Sequence, residues 1–184
     1  MRHYIILLLG LLFLSQNTSA VEEVMMINTE YFGQIDIDWE SEEEIRSEIE
    51  VNGRKSSCLL MIDPDVNVTK DLSTLLDSLA DLDRTARKTF DVYTKDNLID
   101  YFIEHHLDTL KLEDEILKSL GISGELNHST FFKALIISQV YVRVSESDEV
   151  QVFIDYMLDD EISNDILVVT FNMSGEVLEI MHES

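Results

Sequence analysis

The sequence predicts an α+β protein whose mainly antiparallel sheet is built from strands near both ends of the chain and packs against a central helical segment. Apolar and polar residues alternate with a period of two over 34–39 and 45–51 and again over 140–144 and 150–156. Between these regions, from Leu72 to Leu120, the apolar residues recur at steps of three and four. Strands before and after a run of helices are typical of this fold class.

The first twenty residues predict a cleaved export signal. Arg2 precedes an 11-residue apolar run over 4–14, and small residues follow at 18–20. A membrane-spanning helix needs about 20 apolar residues, so a signal peptide is favoured over an anchor or a buried N-terminal strand. The chain is therefore divided into a signal peptide, residues 1–20, and a single acidic α+β domain, residues 21–184, which is expected in the periplasm or outside the cell.

The mature chain is strongly acidic. The full sequence has 37 Asp and Glu against 13 Lys and Arg, and loss of residues 1–20 removes one basic residue, which leaves a formal charge of −25. A field of this sign repels nucleic acid and anionic lipid and favours cationic partners or divalent ions, although solubility alone is the simpler interpretation. We therefore expect no nucleic-acid partner, no membrane association after signal cleavage, and a cationic protein as the candidate partner.

The N-terminal strands include a tight hairpin. A half-buried strand before it is predicted by an alternation of apolar and polar residues, Ile35, Ile37 and Trp39 with Gln34, Asp36 and Asp38. The Asn52–Gly53 pair favours a type I′ turn, which pairs Glu50 with Lys55 and places Cys58 on the apolar face. Leu59 and Met61 make the other face of that strand apolar too, which predicts a central position. Cys58 is the only cysteine, so no intrachain disulfide can form.

The helical segment contains three helices and a short fourth piece. The first carries an apolar stripe at helical spacing: Leu72, Leu75, Leu76, Leu79, Leu82, Ala86 and Phe90. The second begins near Thr94 or Asp96, and its predicted stripe is Leu98, Tyr101, Phe102 and His105. The third contains Leu112, Ile116, Leu117 and Leu120 and ends at Gly121. A short helix is predicted over 129–135.

The C-terminal strands follow the same alternation as the first ones. Two of them contain Val140, Val142 and Val144, then Val150, Val152, Ile154 and Tyr156. A final hairpin joins residues 166–173 to 176–181 across Ser174–Gly175. The acidic runs 40–44, 146–149 and 159–161 are interpreted as solvated loop charges.

Four segments carry a family resemblance. Glu30–Asp36, Glu48–Lys55, Tyr101–Leu107 and Leu167–Ser184 are similar to a bacterial family known as domain of unknown function two thousand and four. The resemblance extends roughly from Glu30 to the C-terminus. It implies a bacterial α+β domain with no assigned activity, and it therefore implies no catalytic residues. The export signal is an addition to the family's pattern.

One stretch begins with the rhythm of a calcium-binding loop. Oxygen-bearing side chains occupy alternate positions: Asp63, Asp65, Asn67, Thr69 and Asp71. An EF-hand needs glycine at the sixth position and glutamate at the twelfth, where this chain has Val68 and Thr74. A capped connection from strand to helix explains the stretch better, so we predict no metal-binding residues here.

The histidines do not have ligand spacing. His105 and His106 point about 100° apart on a helix and cannot chelate one ion together. The stripe predicts that His105 is packed in the core and hydrogen-bonded, and that His106 lies at the surface. His128 and His182 have no partners at ligand spacing, so a zinc site is not expected. Cys58 on a core face is predicted to be an unreactive apolar residue.

The sequence contains no recognisable catalytic motif, and it assigns no catalytic, cofactor-binding or metal-binding residue and no cofactor. The prediction is an exported, acidic, non-enzymatic protein-interaction module, one form of which is an immunity-like inhibitor of a basic partner. The alternatives are a divalent-cation-binding protein and a hydrolase without a recognisable motif.

Overall fold

The computed structural model describes residues 25–37, 43–64, 71–93, 95–145 and 149–184. The predicted signal peptide, Trp39, residues 65–70 of the stretch from Asp63 to Thr74, and residues 40–42 and 146–148 of the acidic runs lie outside these residues.

Strands and helices follow the predicted order within the described residues. The strands are β1 (Met25–Thr29), β2 (Gly33–Ile37), β3 (Glu43–Val51), β4 (Arg54–Ile62), β5 (Ile136–Val144), β6 (Val150–Met157), β7 (Ile166–Asn172) and β8 (Val177–Glu183). The helices are α1 (Asp71–Asp77), α2 (Leu79–Phe90), α3 (Leu98–Glu104), α4 (Glu113–Leu120) and α5 (His128–Ala134). A 3₁₀ turn, Lys95–Asn97, precedes α3, and a π-helical turn, His105–Thr109, follows it.

Within the described residues, the main sheet has six strands in the order β3-β4-β5-β6-β7-β8, and β1 pairs with β2 in a separate antiparallel hairpin. Every neighbouring pair is antiparallel except β4 and β5. The described helices lie between these two strands in the chain and provide the crossover connection that parallel neighbours need. The predicted α+β fold with a mainly antiparallel sheet is confirmed, and β4 is an interior strand as expected.

The predicted hairpin register is confirmed. The pairs are Glu50 with Lys55, Ile49 with Ser56, Ser47 with Cys58 and Ile45 with Leu60. Asn52 and Gly53 have φ angles of 51° and 78°, as a type I′ turn requires. Cys58 is 1% exposed in the core.

Gly53→Val tests the backbone requirement of this turn. We expect a loss of about 1 kcal/mol or more in the free energy of unfolding, because a β-branched residue resists a positive φ. An added Cβ would meet nothing within 4 Å, so the loss would arise from backbone conformation alone. Urea unfolding measures it, and Gly53→Asn, which tolerates this conformation, is the control. An unchanged midpoint for the valine variant would contradict the turn.

The first helical stripe is buried as predicted, but on two helices instead of one. Ser78 separates α1 from α2, and its Oγ donates a hydrogen bond to the carbonyl of Leu75 at 2.8 Å. The stripe packs into one core with the inward side chains of the sheet. Helix α4 ends at Gly121 with φ 66°, and α5 lies where the short fourth helix was expected.

The core lies on one side of the main sheet. The β1–β2 hairpin is also on that side, because Ile27 and Ile35 join the core and the carbonyl of Tyr31 accepts a hydrogen bond from Ser47. Along β6 the residues alternate between buried and half-buried, which distinguishes the covered face from the opposite one. No element in the described ranges packs on that opposite face, which we call the open sheet face.

Candidate functional site

The centre of the open sheet face is apolar. Its half-buried or buried apolar side chains come from four adjacent interior strands and from β8: Leu59, Met61, Tyr141, Phe153, Met157, Ile166, Val168 and Met181. The rings of Tyr141 and Phe153 are cross-strand neighbours with centroids 5.5 Å apart. The Tyr141 hydroxyl donates a hydrogen bond to the sulfur of Met61 at 2.7 Å. Gln139, Asp155 and Thr170 lie among these apolar side chains on the same face. An apolar surface with a few polar groups is typical of an interaction site.

Both edges of this face are acidic. Strand β3 contributes Glu44, Glu48 and Glu50, and β8 contributes Glu179 and Glu183. Glu43 and Glu44 therefore belong to a strand, which corrects their assignment to a charged loop. Residues 159–161 are exposed between β6 and β7, in agreement with the prediction.

The basic side chains on this face are balanced by carboxylates. Arg46 pairs with Glu44, Arg143 lies 3.5 Å from Asp63, and Lys55 is the cross-strand neighbour of Glu50. At the β8 edge, Lys95 Nζ pairs with Glu179 at 2.8 Å. Glu48 on β3 and Glu183 on β8 then leave each edge with a net negative charge.

Asp155 is the carboxylate nearest the middle of the face, between Gln139 on β5 and Val168 on β7. Burial, with a smaller contribution from Glu183, raises its pKa to about 6. The folded protein thus holds this proton more tightly than the unfolded chain does. Above about pH 6, the charged Asp155 carboxylate lowers the free energy of unfolding. As the pH falls through about 6, Asp155 takes up a proton in the folded protein and the free energy of unfolding rises.

A second feature is a cluster of imidazoles around one carboxylate, which we call the imidazole cluster. It comprises His105 and His106 of the π-helical turn, Ser163 and Asp165 of the loop before β7, and His182 of β8. The three histidine Nε2 atoms lie 3.5, 3.8 and 3.0 Å, respectively, from oxygens of Asp165. The cluster joins α3 and the π-helical turn to the sheet edge.

His106 is fully buried and bonded through both ring nitrogens. Nδ1 lies 2.8 Å from the carbonyl of Phe102, and Nε2 lies 2.9 Å from Ser163 Oγ. Because the carbonyl only accepts, Nδ1 carries a proton. Burial lowers the pKa of His106, with smaller opposing contributions from the Phe102 carbonyl and from Asp165.

The predicted roles of the two adjacent histidines were wrong. His106 is in the core, whereas the side chain of His105 is 25% exposed and its ring stacks on Tyr101. The buried residues of this segment are Ile99, Phe102, Ile103 and His106. Of the predicted stripe, Phe102 is confirmed as buried, whereas Tyr101 is 58% exposed and His105 is replaced in the core by His106. His182 also has a partner that sequence spacing missed, since it hydrogen-bonds to Asp165 seventeen residues away.

A third polar group is buried between α2 and the sheet. Asp83 accepts hydrogen bonds from Tyr156 at 3.0 Å, Arg87 at 2.8 Å and Asn52 at 2.5 Å. Arg87 also donates to the carbonyls of Phe132 and Leu135 at the end of α5.

Arg54 donates to the Leu135 carbonyl as well, at 2.8 Å. These contacts satisfy carbonyls at the end of α5 that have no partner within the helix. Arg54 and Arg87 therefore have a structural role.

The other residues considered in the sequence analysis, Cys58 and His128, lie outside these polar clusters. Burial raises the pKa of the Cys58 thiol to about 12, so the thiol stays protonated and unreactive. His128 is exposed, 4.0 Å from Asp100. Among the described residues, no three His, Cys, Asp or Glu side chains are arranged to hold a metal ion. In the same residues no helix has the length and apolar character needed to cross a membrane.

Comparisons with protein-family models, curated proteins and solved structures find no match for this chain. The resemblance to the bacterial domain family therefore stays a prediction.

Proposed function

We propose that this protein is an acidic interaction module that binds a cationic protein on its open sheet face. The observation that carries the proposal is an apolar centre with a Tyr141–Phe153 ring pair, bordered by acidic strands on both sides. An immunity-like inhibitor that covers a basic surface of its target is one form of such a module.

The charge of the face selects the kind of partner. A second copy would bring the same glutamates of β3 and β8 against each other, and two chains of formal charge −24 repel. A basic partner can interact favourably with both the apolar centre and the acidic edges of the face. Its apolar residues would cover Tyr141 and Phe153, and its Lys and Arg side chains would lie near the acidic edges.

The two parts of the surface are expected to contribute differently. Binding energy usually concentrates in a few central residues, with aromatic side chains prominent among them. Charges at the rim act mainly on the association rate and on the salt dependence of binding. We therefore expect Phe153 to determine affinity and the edge glutamates to determine the association rate.

Site-specific photocrosslinking tests the proposal. A photoreactive phenylalanine analogue replaces Phe153 in the full chain, expressed in its own host, and the same analogue at exposed Val92 is the matched control. We expect position 153, and not position 92, to capture one basic protein. The purified partner should bind Phe153→Ala about 10–100-fold more weakly than wild type, with Val92→Ala unchanged.

Three results would contradict the proposal. The first is a stable dimer in sedimentation experiments that Phe153→Ala dissolves, because the face would then bind a second copy. The second is a crosslink from position 153 to residues 1–24 of the same chain. The third is a captured partner whose affinity responds neither to Phe153→Ala nor to salt.

A further inference from the structure

We propose that the imidazole cluster is an acid-operated clamp. With the buried His106 neutral, it holds α3 and the π-helical turn against β8 and the loop before β7. When His106 takes up a second ring proton, the clamp opens and these segments separate. The inference is independent of the proposed interaction at the open sheet face.

The composition of the cluster provides one negative charge for three bases. The π-helical turn contributes His105 and His106, the loop before β7 contributes Asp165, and β8 contributes His182. The side chain that α5 packs on His106 is the uncharged ring of Phe131. Asp165 is thus the carboxylate that balances all three imidazoles.

The distances favour the uptake of one proton and oppose the next. The ring of His105 lies 5.6 Å from that of His106 and 6.3 Å from that of His182. One imidazolium is compensated by Asp165, but a second or third adds a like charge within these distances, at sites largely removed from water. Like charges this close raise the free energy of the closed cluster and favour its opening.

The internal hydrogen bonds also depend on the proton count. Ser163 Oγ lies 2.9 Å from His106 Nε2 and 3.1 Å from Asp165 Oδ2, and it accepts from the Asp165 backbone N–H. With His106 neutral, the single hydroxyl proton serves two acceptors. A proton on Nε2 would donate to Ser163 Oγ and free the hydroxyl to donate to Asp165, so these hydrogen bonds oppose opening, and repulsion among the imidazoles and the burial of His106 must exceed them for the clamp to open.

The sign of the effect follows from burial. Because the pKa of His106 is lowered in the folded protein, its neutral form contributes full stability above the ordinary value near 6.5. That contribution is lost as the pH falls from 6.5 toward the folded value.

Two carboxylates do not produce this effect. Burial raises the pKa of Asp165, but hydrogen bonds from His182 and Ser163, together with the neighbouring His106 and His105, lower it by more, so the pKa is below its usual range and Asp165 stays charged. Asp155, on the open sheet face, changes stability in the opposite direction near pH 6. A local measurement is therefore required.

Hydrogen–deuterium exchange provides it. Protection factors, corrected for intrinsic exchange, are compared at pH 7.5 and 5.5 for peptides that cover 98–109, 177–183 and, as internal reference, β4. We expect the protection factors of the peptides covering 98–109 and 177–183 to fall as the pH drops below about 6.5. The fall is about tenfold per pH unit for each proton that the cluster takes up on opening. The protection factors of β4 should change much less. His106→Gln should weaken this dependence, and His128→Gln, at an exposed histidine, should preserve it.

Equal protection at both pH values, an equal loss in β4, or an unchanged dependence in His106→Gln would overturn the clamp. If His106→Gln does not fold, imidazole NMR of the wild-type protein decides the question. We expect a buried histidine in the Nδ1–H form at pH 7.5 that gains its second proton below pH 6.5. A doubly protonated His106 at pH 7.5 would refute the proposal.

Discussion

Asp83→Ala is expected to lower the free energy of unfolding by about 3 kcal/mol, because removing one member of a buried ion pair leaves the others without a partner. Asp83 is 3% exposed and accepts from Tyr156, Arg87 and Asn52. The expected loss is at the lower end of the range for buried pairs, since the side chain of Arg87 is 29% exposed and regains some hydration.

Urea unfolding at pH 7.5 measures this effect, and Asp81→Ala is the matched control. Asp81 lies on the same helix and pairs with Arg84, but both side chains are mostly exposed. Its replacement should cost about 1 kcal/mol or less.

Burial and the Asp83 carboxylate raise the pKa of Tyr156, so its hydroxyl stays protonated and donates. Tyr156→Phe should therefore cost about 1–3 kcal/mol, since it removes one donor to a buried charge. Equal losses for Asp81→Ala and Asp83→Ala would contradict the network.

Phe102→Ala is expected to destabilise the protein by about 3–5 kcal/mol, through lost apolar burial and a residual cavity. Phe102 is fully buried, and its ring centroid lies 4.4 Å from that of His106 and 5.1 Å from that of His182. The cavity would thus lie beside the imidazole cluster, where α3 packs on the sheet edge.

Tyr101→Ala is the matched control, because Tyr101 is the preceding aromatic residue on the same helix and is 58% exposed. Thermal or urea unfolding should show a loss of about 1 kcal/mol or less for this variant. The sequence predicted that both rings share one buried stripe. A loss for Tyr101→Ala as large as that for Phe102→Ala would restore that prediction and contradict the observed orientation of α3.

The features that the sequence predicted correctly depend on neighbouring residues. The β3–β4 register follows from Asn52–Gly53, since a two-residue turn fixes every pair beyond it. The first apolar stripe is buried because its residues keep helical spacing on both sides of Ser78, so α1 and α2 both present an apolar face to the core. Gly121 ends α4 because a residue after the last turn adopts a left-handed conformation that glycine tolerates.

The imidazole cluster could not be predicted in this way. Two stripes one residue apart, from Leu98 to His105 and from Ile99 to His106, both have helical spacing. Packing against β8 and α5 selected the second of them. His106 meets Ser163 across 57 residues of sequence, and His182 meets Asp165 across 17. No local spacing rule covers such contacts.

The sequence by itself determined the α+β class, the position of β4 inside the sheet and the acidic character of the chain. It did so because alternation, turn residues and charge are local or additive properties. Only the tertiary structure decided that β4 and β5 are parallel, which histidine is buried, and which apolar face of the sheet lacks a covering element among the described residues. These features depend on how distant segments pack, and several arrangements of the same local elements satisfy the same sequence pattern.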